Sequence, residues 1–168
     1  DIGTLYQVLE KYNSSFPEDA YRMYFTSNHD ENSWNGTGYE KYGSMLKPLA
    51  VFSCTWNGIP MIYSGEELPN LKRLHFFDKD TIEWTDKCEL HDFYKTLLTL
   101  RKTNPALRAA DNSVATFHIL TGASKNVMAY LRKHEEDEIL VLLNLSNDET
   151  GFVLQDRLVN GKFTEVFS

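Results

Sequence analysis

Cysteine is scarce in this chain: two residues in 168, Cys54 and Cys88, in no spacing that would hold a metal. Both are read as free thiols in ordinary packing rather than as a bridge. Basic residues are outnumbered, 17 Lys and Arg against 24 Asp and Glu, for a net charge of -7 and an isoelectric point near 5.2. Nucleic acid selects basic surfaces, so it is excluded as the expected partner. No apolar run reaches the roughly 18 residues that a membrane-spanning helix needs, so no membrane partner is read. There is no visible secretory leader, internal repeat or low-complexity tract. Asp1 falls inside an apparent helix, so it is not expected to be a natural N-terminus, and no location is assigned.

What remains is an ordinary folding composition, 42% hydrophobic and 24% charged. Aromatic residues make up 13%. They fill cores, and they also stack on the C–H faces of sugar rings.

The periodicity changes once. Leu5, Val8, Leu9 and Tyr12 recur at helical spacing over residues 4–12, and Asn13 to Pro17 stop that helix. Residues 20–27 read as a short strand buried on both faces. An apolar helix is expected over 39–56, with Pro48 marking a restart. Residues 59–63 read as a second buried strand. A loop follows over 71–85, Asp86 is the expected cap of the next helix, and Asn104-Pro105 ends it. Helix–strand alternation of this kind implies parallel strands with crossover helices. Beyond residues 107–112 come short strand candidates at 115–120, 127–132, 139–144, 151–154 and 163–167, the last just before Ser168. Polar turns separate them, which suggests an antiparallel β-sandwich that stops early. The fold class is therefore α/β over 1–108 followed by all-β over 109–168.

The informative stretch is Ser27-Asn28-His29-Asp30-Glu31-Asn32, directly after Met23-Tyr24-Phe25 and before a polar loop carrying Gly36 and Gly38. A His and an Asp side by side at the end of a buried strand have little structural purpose. Trp34 and Tyr39 in the following segment read either as sugar platforms or as loop packing. Tyr63 and Glu67 read as structural hydrogen-bonding groups. Glu135-Glu136-Asp137-Glu138 reads as a solvated hairpin turn, and His75, His91, His118 and His134 show no paired metal spacing. Asn144-Leu145-Ser146 matches the N-glycosylation acceptor pattern.

Three segments in order resemble the α-amylase superfamily of retaining glycoside hydrolases. Phe25-Thr26-Ser27-Asn28-His29-Asp30 resembles the family's Asn-His-Asp region at the end of barrel strand seven. Gly58-Ile-Pro-Met-Ile-Tyr-Ser-Gly-Glu-Glu67 resembles the strand-eight motif, and Leu100-Arg-Lys-Thr-Asn-Pro-Ala-Leu107 the end of helix eight. The resemblance covers essentially the whole chain. It implies the last two β/α units of a (β/α)8 TIM barrel, then an all-β C-terminal domain.

It also implies roles. Asp30 would be the third carboxylate, a transition-state stabiliser bonding sugar hydroxyls, with Asn28 and His29 binding the same sugar. The nucleophile and acid/base lie on strands four and five in the family, outside this chain, so the segment alone is expected to be inactive. The expected substrate is an α-glucan or maltooligosaccharide. No cofactor is expected in this segment, calcium being a matter for the longer parent. Two strands cannot close a barrel, so their bare edges are expected to pair with a second copy when the segment is alone. Two departures stand out. The family's Asn-His-Asp is often followed by Arg, where Glu31-Asn32-Ser33-Trp34 follows here, and Glu66 stands where Gln is usual. The rivals are a non-catalytic carbohydrate-binding module, against which the sandwich's lack of Trp counts, and a catalytically silent relative of amylases.

Overall fold

The computed structural model describes residues 2–17 and 19–167, so Asp1 and Ser168 and the expectations attached to them lie outside the described residues. The first half runs α1 (Ile2–Ser15), β1 (Met23–Tyr24), α2 (Gly38–Tyr42), α3 (Leu46–Thr55), β2 (Ile59–Pro60) and α4 (His91–Thr103). The second half is β3 (Ala115–His118), β4 (Val127–His134) and β5 (Asp137–Asn144).

β1 and β2 pair in parallel, Met23 against Ile59 and Tyr24 against Pro60. Met61 N donates to Tyr24 O at 2.9 Å. The strands expected over 20–27 and 59–63 shrink to two residues each. Pro60 has no N–H to give, and neither strand has a second neighbour among the described residues. Met23, Phe25 and Ile59 are left exposed. Gly58 lets the strands approach: a Cβ there would lie 2.4 Å from the Tyr24 ring and 2.7 Å from Arg22 O.

The helix expected over 39–56 is broken, and not by Pro48. Gly43, with φ +55°, ends α2, a 3₁₀ turn spans Gly43–Met45, and α3 restarts at Leu46. Pro48 falls in the first turn of α3, where its missing N–H has no intrahelical partner to lose. Asp86 does not cap α4. That helix begins at His91, after Glu89 N and Leu90 N have docked on Leu68 O and Glu67 O, each at 3.0 Å. The buried stripe of α1 is also shifted, to Ile2 and Leu9 with Leu5 and Tyr6 alongside, while Val8 is exposed.

The second half is a three-stranded antiparallel sheet in the order β3-β4-β5. Every residue from Val127 to Arg132 is buried, so β4 is covered on both faces. Met128 and Tyr130, with Val141 and Leu143, meet Ile2, Leu9, Phe52 and Trp56. Ala129 and Leu131 meet Ile119, with Phe117, Leu140, Leu154 and Val159 packed around them. The five-stranded sandwich is not formed among the described residues. Residues 151–154 contribute a single bridge, Thr121 to Leu154, and 163–167 form no ladder. Phe152, Val153, Phe163, Val166 and Phe167 stay too exposed to repeat the alternation of a covered strand. Glu135-Glu136 makes the tight turn between β4 and β5. Both cysteines are free, Cys54 buried and Cys88 half-buried. The Asn144 amide donates to Asp148 O at 2.8 Å, within its own turn.

Two arginines tie the elements together, Arg101 within the first half and Arg132 between the halves. Arg101, near the end of α4, donates to Cys54 O at 2.8 Å and to Gly58 O, satisfying carbonyls at the end of α3 and the start of β2. Arg132 is completely buried. Its Nε donates to Ala106 O at 3.1 Å, one Nη to Arg108 O at 3.0 Å and the other to Thr116 Oγ1. Burial lowers its pKa to about 10. Replacing Arg132 with Met strands the buried carbonyl of Ala106 and two part-buried acceptors, Arg108 O and Thr116 Oγ1. A loss of about 3 kcal/mol is expected by urea denaturation, and a loss below about 1 kcal/mol would contradict this account. Gly58→Ala is expected to cost about 2 kcal/mol or more through overpacking against Tyr24, read in the same way.

Candidate functional site

The site grows out of the break after β1. Asn28 starts a helical turn by capping it: its Oδ1 accepts from Glu31 N at 2.8 Å, and its carbonyl accepts from Asn32 N at 2.9 Å. The turn widens into a π-helical segment, Glu31–Asn35, closed by Gly36 N on Glu31 O at 3.0 Å. Such wide turns recur at functional sites. His29 and Asp30 are thereby lifted out of the packing. Their side chains are 69% and 58% exposed, with His29 Nε2 3.6 Å from Asp30 Oδ1.

Asn32 points the other way and is buried. Its Oδ1 accepts from Leu74 N at 2.8 Å and its Nδ2 donates to Lys72 O at 3.2 Å. One amide thus carries the loop after β2 alongside the turn after β1. Ion pairs brace that loop, Arg73 with Glu40 at 2.8 Å and Lys72 with Asp80. Glu40 also closes the capping box of α2 with Thr37. Arg73 and the Thr37 amide hold its carboxyl down at about 2.

The loop brings Phe76 and Phe77 to the site. Phe76 stacks on His29, with centroids 5.8 Å apart and planes 18° apart, and lies 5.2 Å from Trp34. Of the residues singled out in the sequence, Asn28, His29, Asp30 and Trp34 thus share one region. Tyr39 turns inward to Ala50, Leu90 and Tyr94, and burial, then the Glu89 charge, raises its phenol pKa. Sequence reasoning missed Phe76 and Phe77. Two adjacent aromatics inside a loop rich in Lys, Arg and Asp were the available signal.

Beneath the turn lies a carboxylate. Glu66 Oε1 accepts from Thr26 Oγ1 at 2.6 Å and Oε2 from Tyr63 N at 3.1 Å, linking the segments that follow β1 and β2. Lys41 pairs with Glu31 at 2.8 Å from the side. Among the described residues no group of three or more His, Cys, Asp or Glu could hold a metal ion. Chemically, the exposed pair offers one carboxylate and one imidazole to a polyhydroxyl ligand.

Burial raises the Glu66 pKa, and the two hydrogen bonds only partly oppose it. A raised carboxyl pKa contributes stability at low pH that is lost as pH rises through the folded value. Glu66→Gln, neutral throughout, is therefore expected to gain stability relative to the parent residue between pH 4 and pH 8. Thermal melts at both ends check this, and a pH-independent difference would contradict it.

Comparison with known proteins adds ancestry to this geometry. Residues 117–168 match the family model for the maltogenic amylase C-terminal domain. Alpha-amylase 2 of Dictyoglomus thermophilum is 30% identical over 159 residues, covering 88% of this chain and 26% of that protein. A cyclomaltodextrinase of a Bacillus species is 35% identical over 119 residues, covering 66% of this chain and 19% of that protein. Among solved structures, a maltogenic α-amylase of Thermotoga neapolitana superposes with a TM-score of 0.77 at 20% identity, over 96% of this chain and 37% of its own. That likeness speaks for the fold. The chain spans about a quarter or less of the curated relatives it matches.

Proposed function

The chain belongs to the α-amylase family, and on that premise we propose that it supplies one wall of the active site of an α-glucan-cleaving glycoside hydrolase. The observation that carries this reading is the lifted His29–Asp30 pair just beyond β1, the strand that runs parallel to β2. Strand ends of that kind are where a (β/α) barrel keeps its chemistry. Residues 1–108 are then the last two β/α units of a (β/α)8 barrel, and 109–168 part of a sandwich-type C-terminal domain. Met23, Phe25 and Ile59, exposed here, would lie against the rest of the barrel in the longer protein. In the segment alone, the same bare edges would favour pairing of two copies.

Asp30 binds hydroxyls of the sugar at the cleavage point, and its charge favours the distorted, oxocarbenium-like ring. His29, offering a donor and an acceptor when neutral, and Asn28 contact the same sugar. These contacts accelerate the reaction only as far as they tighten in the transition state. The nucleophile and the acid/base come from residues upstream of this chain, and the mechanism is retaining. The segment alone has no turnover. No cofactor is assigned to these residues, and any calcium would be held by the longer protein.

The test is Asp30→Asn in the full-length protein. An amide of the same shape at an exposed position leaves the fold intact and removes the charge. The kcat on maltoheptaose is expected to fall by at least about 100-fold with the melting temperature unchanged. A kcat near wild type would refute the assignment.

A further inference from the structure

The loop between β2 and α4 carries two phenylalanines that the roles above leave unused. Phe77 is 83% exposed, Phe76 39%, and Trp34 beside them 57%. Ring centroids are 4.9 Å apart for Phe76 and Phe77, and 6.0 Å for Trp34 and Phe77. With the Trp34–Phe76 contact already described, the three rings make one stepped shelf, their planes inclined to one another by 46° to 81°. It begins at the imidazole of His29, on which Phe76 stacks. A contiguous exposed apolar patch beside a polar pair marks a binding surface more often than chance.

The shelf is mounted rigidly. Asn32 holds the backbone at Lys72 and Leu74, and Asp80 Oδ2 accepts from His75 N at 3.0 Å. A preorganised loop loses little entropy when a ligand settles on it. Asp78 and Lys79 follow the rings directly in sequence, so groups able to bond hydroxyls adjoin the apolar centre. That pairing suits a sugar ring, with its apolar faces and polar rim. Three side chains are too few for the roughly 800 Å² per partner of a stable protein interface.

We propose that Phe76 and Phe77, with Trp34, form a stacking subsite for a further glucose unit of an α-glucan chain, contiguous with the sugar held by His29 and Asp30. This rests on the reading of the site as a glucan site and adds to it a preference for longer chains, set by the loop after β2.

The experiment compares kcat/KM for maltoheptaose and maltotriose in the full-length protein, for wild type, Phe77→Ala and Phe77→Trp. Phe77 is exposed in this segment, and melting temperatures matched to wild type show that the full-length variants keep their fold. The maltoheptaose-to-maltotriose ratio is expected to fall about fivefold in Phe77→Ala and to return to within about twofold of wild type in Phe77→Trp. An unchanged ratio in Phe77→Ala overturns the proposal while leaving the glucan-site reading in place. If light scattering also shows a dimer that Phe77→Asp dissociates, the shelf is an interface between copies and the proposal fails in that direction. Wild-type protein that cleaves neither sugar removes the glucan-site reading, and this inference with it.

Discussion

Arg132 sits fully buried on the central strand of the sheet and gives its guanidinium to two carbonyls and a hydroxyl. The carbonyls belong to Ala106 and Arg108, where the chain leaves α4, and the hydroxyl to Thr116 on β3. A buried charge satisfied only by neutral acceptors is tolerable when its geometry is held from every side. Here the hold is mutual. The 3₁₀ turn Pro105–Leu107 cannot move without stranding the guanidinium, and the sheet cannot shift without breaking the same bonds. On the same face of β4, Tyr130 is wedged edge-on against Trp56 at 4.8 Å, and its hydroxyl meets Thr55 Oγ1 at 2.5 Å. The sheet thus fixes the end of α3, and the end of α3 fixes the entry to β2.

From there the route to the site is short. Arg101 binds the carbonyls at Cys54 and Gly58, and Gly58 lies against Tyr24, so β1 and β2 are set side by side by contacts that admit no extra carbon. Glu66 then joins the segments beyond the two strands through Thr26 and the Tyr63 amide. The local chemistry of Asn28 and Asn32 does the rest. One caps the turn that lifts His29 and Asp30, and the other recruits the neighbouring loop and its aromatic rings. The proposed site is thereby concentrated on two loops that a rigid frame holds together.

Much of this was legible in the sequence where the cause is local. Asn28-His29-Asp30 announced itself because an imidazole and a carboxylate stand side by side where an apolar strand ends. The change from helical to alternating periodicity near residues 107–112 announced the second half. What depended on partners distant in sequence was not legible. The strands around Met23 and Ile59 are shorter than their apolar runs because ladder length is set by neighbours, not by propensity. Gly43 rather than Pro48 broke the helix, since a proline in a first turn loses no bond. Asp86 was a plausible cap, overridden by the docking of Glu89 and Leu90 on the segment after β2. Tyr39 could be read as a sugar platform or as loop packing, and its half-buried contact with Leu90 and Tyr94, some fifty residues on, was out of the sequence's sight. Phe76 and Phe77 came to the site only because Asn32 reaches across 40 residues to Lys72.

The central claim is that His29, Asp30 and the aromatic rings beside them face one carbohydrate chain. A crystal structure of the full-length protein soaked with maltoheptaose tests it most directly. The account predicts one sugar ring within hydrogen-bonding distance of His29 and Asp30, and the next unit lying flat on Phe77. A chain bound elsewhere, with the His29–Asp30 turn facing empty solvent, would contradict it.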